Sequence, residues 1–135
     1  MGATATILHG KRDVRFKIKA VPEAASKARA YVETMLTGRA LRHLIEDAKL
    51  IVSELISNAV VATPDRDIWV LLVREHDGVW ICVWDSSLEL PEVRAYEPDA
   101  ESGRGLHIVA AIAAENGAFR VAEPKGKLTW ARLTI

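Results

Sequence analysis

The chain has 135 residues, and 18 lysines and arginines balance 18 aspartates and glutamates, so its formal net charge is zero. This length predicts one domain, residues 1–135, with a sizeable core. The balanced charge excludes the basic excess of a general nucleic-acid binder. Cys82, the single cysteine, cannot form an intramolecular disulfide, and the longest apolar run has seven residues, against about 20 for a membrane span. We therefore expect a cytoplasmic protein without direct nucleic-acid or membrane contacts.

The first third of the sequence predicts one strand and two helices. Apolar residues alternate with basic residues over 12–20, which is the period of a half-buried strand. Apolar residues then recur at steps of three and four over 22–37 and again over 41–61. This spacing is typical of helices that bury one side.

The middle of the chain predicts a β-hairpin. Two continuous apolar runs, 68–73 and 79–84, lie on either side of Asp77 and Gly78. Asp-Gly favours the positive φ angles of a tight hairpin turn. Because both runs are continuous rather than alternating, we expect both faces of the hairpin to be covered.

The last third predicts a long loop, one helix and two strands. Residues 86–102 show no periodicity, and a loop of this length in a small domain is often a functional lid. A helix over 106–115 ends at Asn116-Gly117, and strands follow over 118–123 and 127–135. Together the elements predict an α+β fold: a two-layer sandwich with helices on one face of a mixed, mostly antiparallel sheet.

Glu54 and Asn58 are the first candidates for chemistry. They are four residues apart on the second predicted helix, at the edge of its apolar stripe. An amide oxygen is a hard ligand that suits Mg²⁺, and a carboxylate can accept a proton or orient a nucleophile. The alternative is a solvated polar pair.

Asp85 and the glycine-rich turn 102–106 are the second and third candidates. Asp85 ends an apolar strand, where it either accepts hydrogen bonds from a ligand or simply starts the turn. Two glycines before a helix allow backbone N–H groups to approach an anion, although a flexible hinge has the same sequence. The turn lacks the third glycine of a dinucleotide fingerprint, since Ile108 takes that position, and it lacks the lysine of a P-loop.

Histidine, cysteine and tryptophan give weaker signals. The four histidines show no ligand spacing with each other or with Cys82, which argues against a zinc site. All four tryptophans fall on predicted strands, where they belong to the core or, on the face of Trp80 and Trp84, to a subunit contact.

The order of these features resembles one family, the Bergerat-type ATP-binding fold shared by gyrase, Hsp90, histidine kinases and MutL. Within it, the sequence is most similar to the small anti-sigma-factor serine kinases of Gram-positive bacteria, especially those of actinobacteria. The resemblance extends from about Phe16 onward. It is carried by the stretches 47–59 (DAKLIVSELISNA), 83–87 (VWDSS), 99–109 (DAESGRGLHIV) and 126–133 (GKLTWARL).

The resemblance implies a role for each candidate residue. Glu54 matches the general base or orienting carboxylate, and Asn58 matches the ligand of the Mg²⁺ that bridges the ATP phosphates. Asp85 matches the acceptor of the adenine amino group, with Ser87 beside the same pocket. The residues matched to phosphate binding are Gly103, Arg104, Gly105 and Leu106.

Three positions depart from the family pattern. Ser87 replaces a glycine and is expected to crowd the adenine pocket. Residues 60–63 are apolar where the family commonly has a basic residue or histidine. Leu128 takes the place of a threonine near the adenine, and Thr129, one residue later, is expected on the opposite face of the strand. These departures predict a weaker affinity for ATP.

The function implied by the resemblance is that of an anti-sigma regulatory factor with ATP and Mg²⁺ as cofactors. Such a protein binds a sigma factor and phosphorylates a serine of a small antagonist, the anti-anti-sigma protein. Several family members form homodimers through the sheet face, so a second copy is also an expected partner. The alternative is a catalytically weak or inactive regulatory module that sequesters a sigma factor or another partner without phosphoryl transfer.

Overall fold

In the part of the chain that the structure describes, five strands form one sheet. The structure, a computed structural model, describes the backbone of residues 12–90 and 104–135 and the side chains of residues 15–90 and 108–135. The strands are β1 (Arg12–Lys19), β2 (Asp67–Arg74), β3 (Gly78–Asp85), β4 (Glu115–Val121) and β5 (Gly126–Thr134). Their spatial order is β1-β2-β3-β5-β4, and each neighbouring pair is antiparallel. The predicted α+β class is confirmed, with an antiparallel rather than a mixed sheet.

Helices cover one face of this sheet. Within the described ranges they are α1 (Ala24–Gly38), α2 (Ile45–Ala62) and α3 (Arg104–Ile112). α2 lies between α1 and α3 and packs on β3, because its apolar stripe places Ile51, Leu55 and Ala59 in the core. A 3₁₀ turn, Arg42–Leu44, precedes α2, so the α-helix begins later than the periodicity predicts. None of the described helices is long and apolar enough to cross a membrane.

The boundaries predicted for the last helix were wrong at both ends. α3 begins at Arg104 and ends at Ile112, and Asn116 and Gly117 lie inside β4 instead of ending the helix. The reason is the neighbouring strand. Gly117 pairs with Trp130 of β5, and a Cβ atom on this glycine would lie 2.9 Å from the tryptophan ring. Gly117 therefore leaves room for the Trp130 ring in the sheet. In the sequence alone, such a glycine cannot be distinguished from one that ends a helix.

Both faces of the sheet are apolar. On the helix side, Val79, Ile81 and Val83 of β3 join the main core. The opposite side, here called the tryptophan face, consists of Leu71, Val73, Trp80, Cys82, Leu128 and Trp130, flanked by Trp69, Trp84, Phe119 and Val121. The expected burial of both faces is confirmed for β3, in which residues 78–83 are all buried.

Cys82 belongs to the packing of the tryptophan face. Its side chain is fully buried within the tryptophan face, and this burial raises the pKa of the thiol above its ordinary value. A buried neutral thiol is a poor nucleophile and a poor metal ligand. The described residues contain no group of three or more histidine, cysteine, aspartate or glutamate side chains that could hold a metal ion.

Candidate functional site

The chain brings the end of α2 and the end of β3 to the same end of the molecule. α2 ends at Ala62, and β2 begins shortly afterwards at Asp67. Because Trp69 of β2 pairs with Trp84 of β3, the start of β2 lies beside the end of β3. Asn58, one turn before the end of α2, and Asp85, the last residue of β3, are therefore at this end of the two layers.

Asp85 is a buried carboxylate at this end of the sheet. Its side chain is 2% exposed and faces the helices, since it lies two residues after Val83 on the same strand. Two groups contact it: the Lys127 ammonium lies 3.3 Å from Oδ1, and the Ser87 backbone N–H donates to the same oxygen at 2.9 Å. Burial raises the pKa of the Asp85 carboxyl, while the Ser87 hydrogen bond and the Lys127 charge lower it. Asp85 does start a turn, yet it is also buried and paired.

The pairing of β3 with β5 corrects the prediction for Thr129. Val83 lies directly opposite Thr129, and Asp85 lies directly opposite Lys127. Directly opposite residues of antiparallel strands share a face, so Thr129 is on the side of Asp85. Leu128 points to the tryptophan face instead. Thr129, which is buried, therefore holds the position near Asp85 at which the resemblance expects a threonine.

Gly126 brings β5 unusually close to β3 beside this carboxylate. A Cβ atom at position 126 would meet the Asp85 carbonyl oxygen and would lie 2.8 Å from Nε1 of Trp84. We expect Gly126→Ala to lower the free energy of unfolding by about 1–3 kcal/mol, because the extra carbon forces backbone and ring apart. Urea unfolding measures this change. Gly38→Ala is the matched control: nothing lies within 4 Å of its added carbon, so its stability should be unchanged or slightly higher. Equal stability of both variants would contradict the close approach.

Asn58 contains an unsatisfied buried group. Glu54 and Asn58 lie on successive turns of α2, and both side chains are half-buried. The amide nitrogen Nδ2 of Asn58 is buried and, in the part of the chain that the structure describes, has no hydrogen-bond partner. Native proteins rarely leave such a group unpaired, and a ligand site is one recognised reason. The alternative of a solvated polar pair therefore does not fit Asn58.

Asn58 and Glu54 are suited to a Mg²⁺ site of the kind in which the ion is shared between the protein and a nucleotide. Asn58 and Glu54 offer an amide and a carboxylate, which are oxygen donors of the kind that Mg²⁺ prefers. One or two protein donors are enough, because phosphate oxygens and water supply the remaining ligands.

The glycine-rich turn lies partly outside the described residues. Gly103 and most of the predicted lid, 86–102, fall there, and only residues 86–90 of the lid are described. Arg104, Gly105 and Leu106 form the first turn of α3, which packs against α2. Since the first N–H groups of a helix have no acceptor within the helix, this turn offers donors that suit a phosphate group.

Ser87 supports the carboxylate through its backbone. Besides the N–H that it donates to Asp85, its hydroxyl accepts a hydrogen bond from the Glu89 N–H at 3.1 Å. Among the described candidate residues, Asp85 and Ser87 are the two that contact each other directly. The crowding of a base pocket by Ser87 stays a prediction, as do the ligand roles of the other candidates.

Lys127 was missed by the sequence analysis. It begins the predicted strand 127–135 and lies in the stretch 126–133 that carries the resemblance, but neither pattern assigns it a role, which becomes visible only from its place opposite Asp85. That place depends on which strands become neighbours. A single weak signal was present, a lysine in a mostly buried strand, since a charged residue at a buried position is rare unless it is paired.

Comparison with known proteins assigns the chain to a family. No curated protein matches it. Among protein-family models, the histidine kinase-like ATPase domain matches residues 18–133, which is most of the 135-residue chain. The matched range includes α2, the β3–β5 pair and the first turn of α3. The chain therefore belongs to the histidine kinase-like ATPase domain family, and this membership supports ATP binding and a regulatory role of the ATPase or kinase type.

Proposed function

We propose that this protein is an ATP- and Mg²⁺-dependent serine/threonine protein kinase of the anti-sigma type, acting on a small antagonist protein. The proposal is carried by the location of Asp85, the last residue of β3, and Asn58, one turn before the end of α2, at the same end of the α/β layers. Asp85 is a buried carboxylate, and Asn58 has a buried amide nitrogen with no hydrogen-bond partner among the described residues. Asp85 is suited to bind the adenine, Asn58 is suited to the Mg²⁺ on the phosphate chain, and the N-terminal turn of α3 is suited to the phosphates themselves.

The protein has little covalent chemistry to perform in phosphoryl transfer, since positioning and charge neutralisation provide most of the catalysis. Asp85 would hold the base, and the backbone of Arg104, Gly105 and Leu106 would hold the phosphates. Glu54 would orient the serine hydroxyl of the antagonist and accept its proton as the γ-phosphoryl group leaves ADP. Mg²⁺, bound by Asn58, would neutralise phosphate charge.

The first test is a calorimetric titration of the full chain with ATP, with and without Mg²⁺. We expect binding heat that depends on Mg²⁺ and a melting temperature that rises with nucleotide concentration. At about 100 times the dissociation constant, the ligand adds about 2.7 kcal/mol of stability. No heat and no thermal shift at millimolar nucleotide would refute the proposal at its first step.

A second candidate function is a binding module that retains the fold without transferring phosphate. Val61 favours it: this side chain is 83% exposed on the turn after Asn58, where the resemblance expects a charged phosphate contact nearby. Incubation with labelled ATP and a candidate antagonist protein separates the two. Label on the antagonist supports the kinase, and a stable complex without label supports the module. A sigma factor and a second copy of the chain are the other partners that we propose.

A further inference from the structure

Lys127 forms a buried ion pair that the proposed ATP site leaves without a role. It lies on β5 directly opposite Asp85, and its Nζ is 3.3 Å from Oδ1 of that residue. The two side chains are 5% and 2% exposed, respectively. In four other ion pairs of described residues, by contrast, at least one partner is about one-third or more exposed.

A buried ion pair of this kind adds little to the stability of a fold. Removing two charges from water costs several kcal/mol, and apolar residues of similar size often stabilise a core equally well. The neighbours of Lys127 on its strand are in fact Gly126 and Leu128, and the rest of β5 is mostly apolar. Its contact with Asp85 therefore requires an explanation other than packing.

The contacts leave one oxygen of Asp85 for a ligand. Both the Lys127 ammonium and the Ser87 N–H approach Oδ1, and the described residues place no donor on Oδ2. The two donors fix the carboxylate from one side. Burial is the largest influence and leaves the pKa of the Asp85 carboxyl above its ordinary value, while these two donors act in the opposite direction.

We propose that Lys127 is a positioning residue that sets base specificity: it holds Oδ1 of Asp85 and keeps the carboxylate ionised, so that Oδ2 only accepts hydrogen bonds. This inference rests on the proposed function, in which Asp85 contacts the adenine. It adds a determinant of selectivity from another strand, to which neither the motifs nor the family match assign a role.

The chemistry of the purine ring shows why ionisation matters. Adenine has an exocyclic amine at C6, which donates a hydrogen bond, whereas hypoxanthine has a carbonyl there, which accepts one. An ionised carboxylate accepts hydrogen bonds and cannot donate them, so it binds the amine and repels the carbonyl. A protonated carboxyl has an O–H group and can bind either ring. Losing the lysine should therefore relax selectivity rather than simply weaken binding.

The experiment compares the dissociation constants of Mg-ATP and Mg-ITP by calorimetry for the full-length protein and its variants. We expect wild type to prefer ATP over ITP by about 10- to 100-fold, the range for a hydrogen bond to a charged group. For Lys127→Met the preference should fall below about threefold, and Lys127→Arg, which keeps the charge, should restore it. Lys125→Met is the matched control, because this lysine is exposed in the preceding turn, and its preference should equal that of wild type.

Lys127→Gln is the second variant, in case the apolar replacement does not fold. It retains a hydrogen-bond donor but removes the charge, and we expect it to lose the preference as well. An equal weakening of ATP and ITP in the variants, with the ratio unchanged, would show a merely structural lysine and overturn the inference. Tighter ATP binding by Lys127→Met would also overturn it, because Lys127 would then compete with the base. Failure of wild type to bind either nucleotide would instead refute the proposed function itself.

Discussion

Asp85→Ala is expected to weaken ATP binding by about 10- to 100-fold and to lower the free energy of unfolding by about 3–5 kcal/mol. The first effect is the loss of a charged hydrogen-bond acceptor for the base. The second follows because Lys127, with a side chain only 5% exposed, loses its partner and remains as an unpaired buried charge. Calorimetric titration measures the affinity, and urea unfolding measures the stability.

A double variant separates the two effects of this substitution. In Asp85→Ala/Lys127→Met the unpaired charge is gone, so stability should recover most of its loss while ATP binding remains weak. Asp67→Ala is the matched control. This aspartate is the first residue of β2 and is exposed, and its carboxylate lies 4.0 Å from the Lys17 ammonium. It should change stability by less than about 1 kcal/mol and leave affinity unchanged. Normal ATP affinity in Asp85→Ala would exclude Asp85 from the base site.

Glu54→Gln is expected to reduce phosphoryl transfer by about 10²- to 10⁴-fold, which is the usual contribution of a general base or acid. ATP affinity should change by less than about threefold, because the amide keeps the size and polarity of the side chain. We expect the variant to fold, because the Glu54 side chain is only half-buried and the substitution preserves its size. Transfer of labelled phosphate to a candidate antagonist protein measures the rate.

The matched control for this variant lies on the same helix. Glu46→Gln removes an exposed carboxylate in the first turn of α2, away from Asn58, and should leave the rate unchanged. A melting curve equal to that of wild type would establish that Glu54→Gln is folded. Unchanged phosphoryl transfer by folded Glu54→Gln would mean that Glu54 is not the general base and that another group activates the serine.

The periodicity of the sequence was sufficient for the elements but not for all of their ends. The apolar stripe of α2 and the two runs of the hairpin lie where the pattern predicts them, since both are set by local spacing. The predicted end of α3 was wrong, because Gly117 makes room for Trp130 on a neighbouring strand and does not end the helix. A signal that depends on a partner distant in sequence cannot be interpreted from local spacing alone.

The candidate site shows the same division. Asp85 was found because it ends a strand, and Asn58 because it follows Glu54 by one helical turn. Lys127 was not found, and Thr129 was assigned to the wrong face. Both errors have one cause. β5 lies between β3 and β4 in the sheet, and its register with β3 places Lys127 opposite Asp85. Which residues share a face across two strands is fixed by the pairing, and no local pattern contains that information.

The alternation of side chains along β3 and β5 couples two surfaces that otherwise share no residue. Asp85 and Lys127 face the helices, while their chain neighbours Trp84 and Leu128 face the opposite side. One peptide bond therefore separates the pair that we propose for adenine binding from the tryptophan face. If Asp85 holds the adenine as proposed, we expect a ligand on that face that shifts β5 relative to β3 to change the affinity for nucleotide. Thermodynamic reciprocity then requires the nucleotide to change the affinity of that face for its occupant by the same factor.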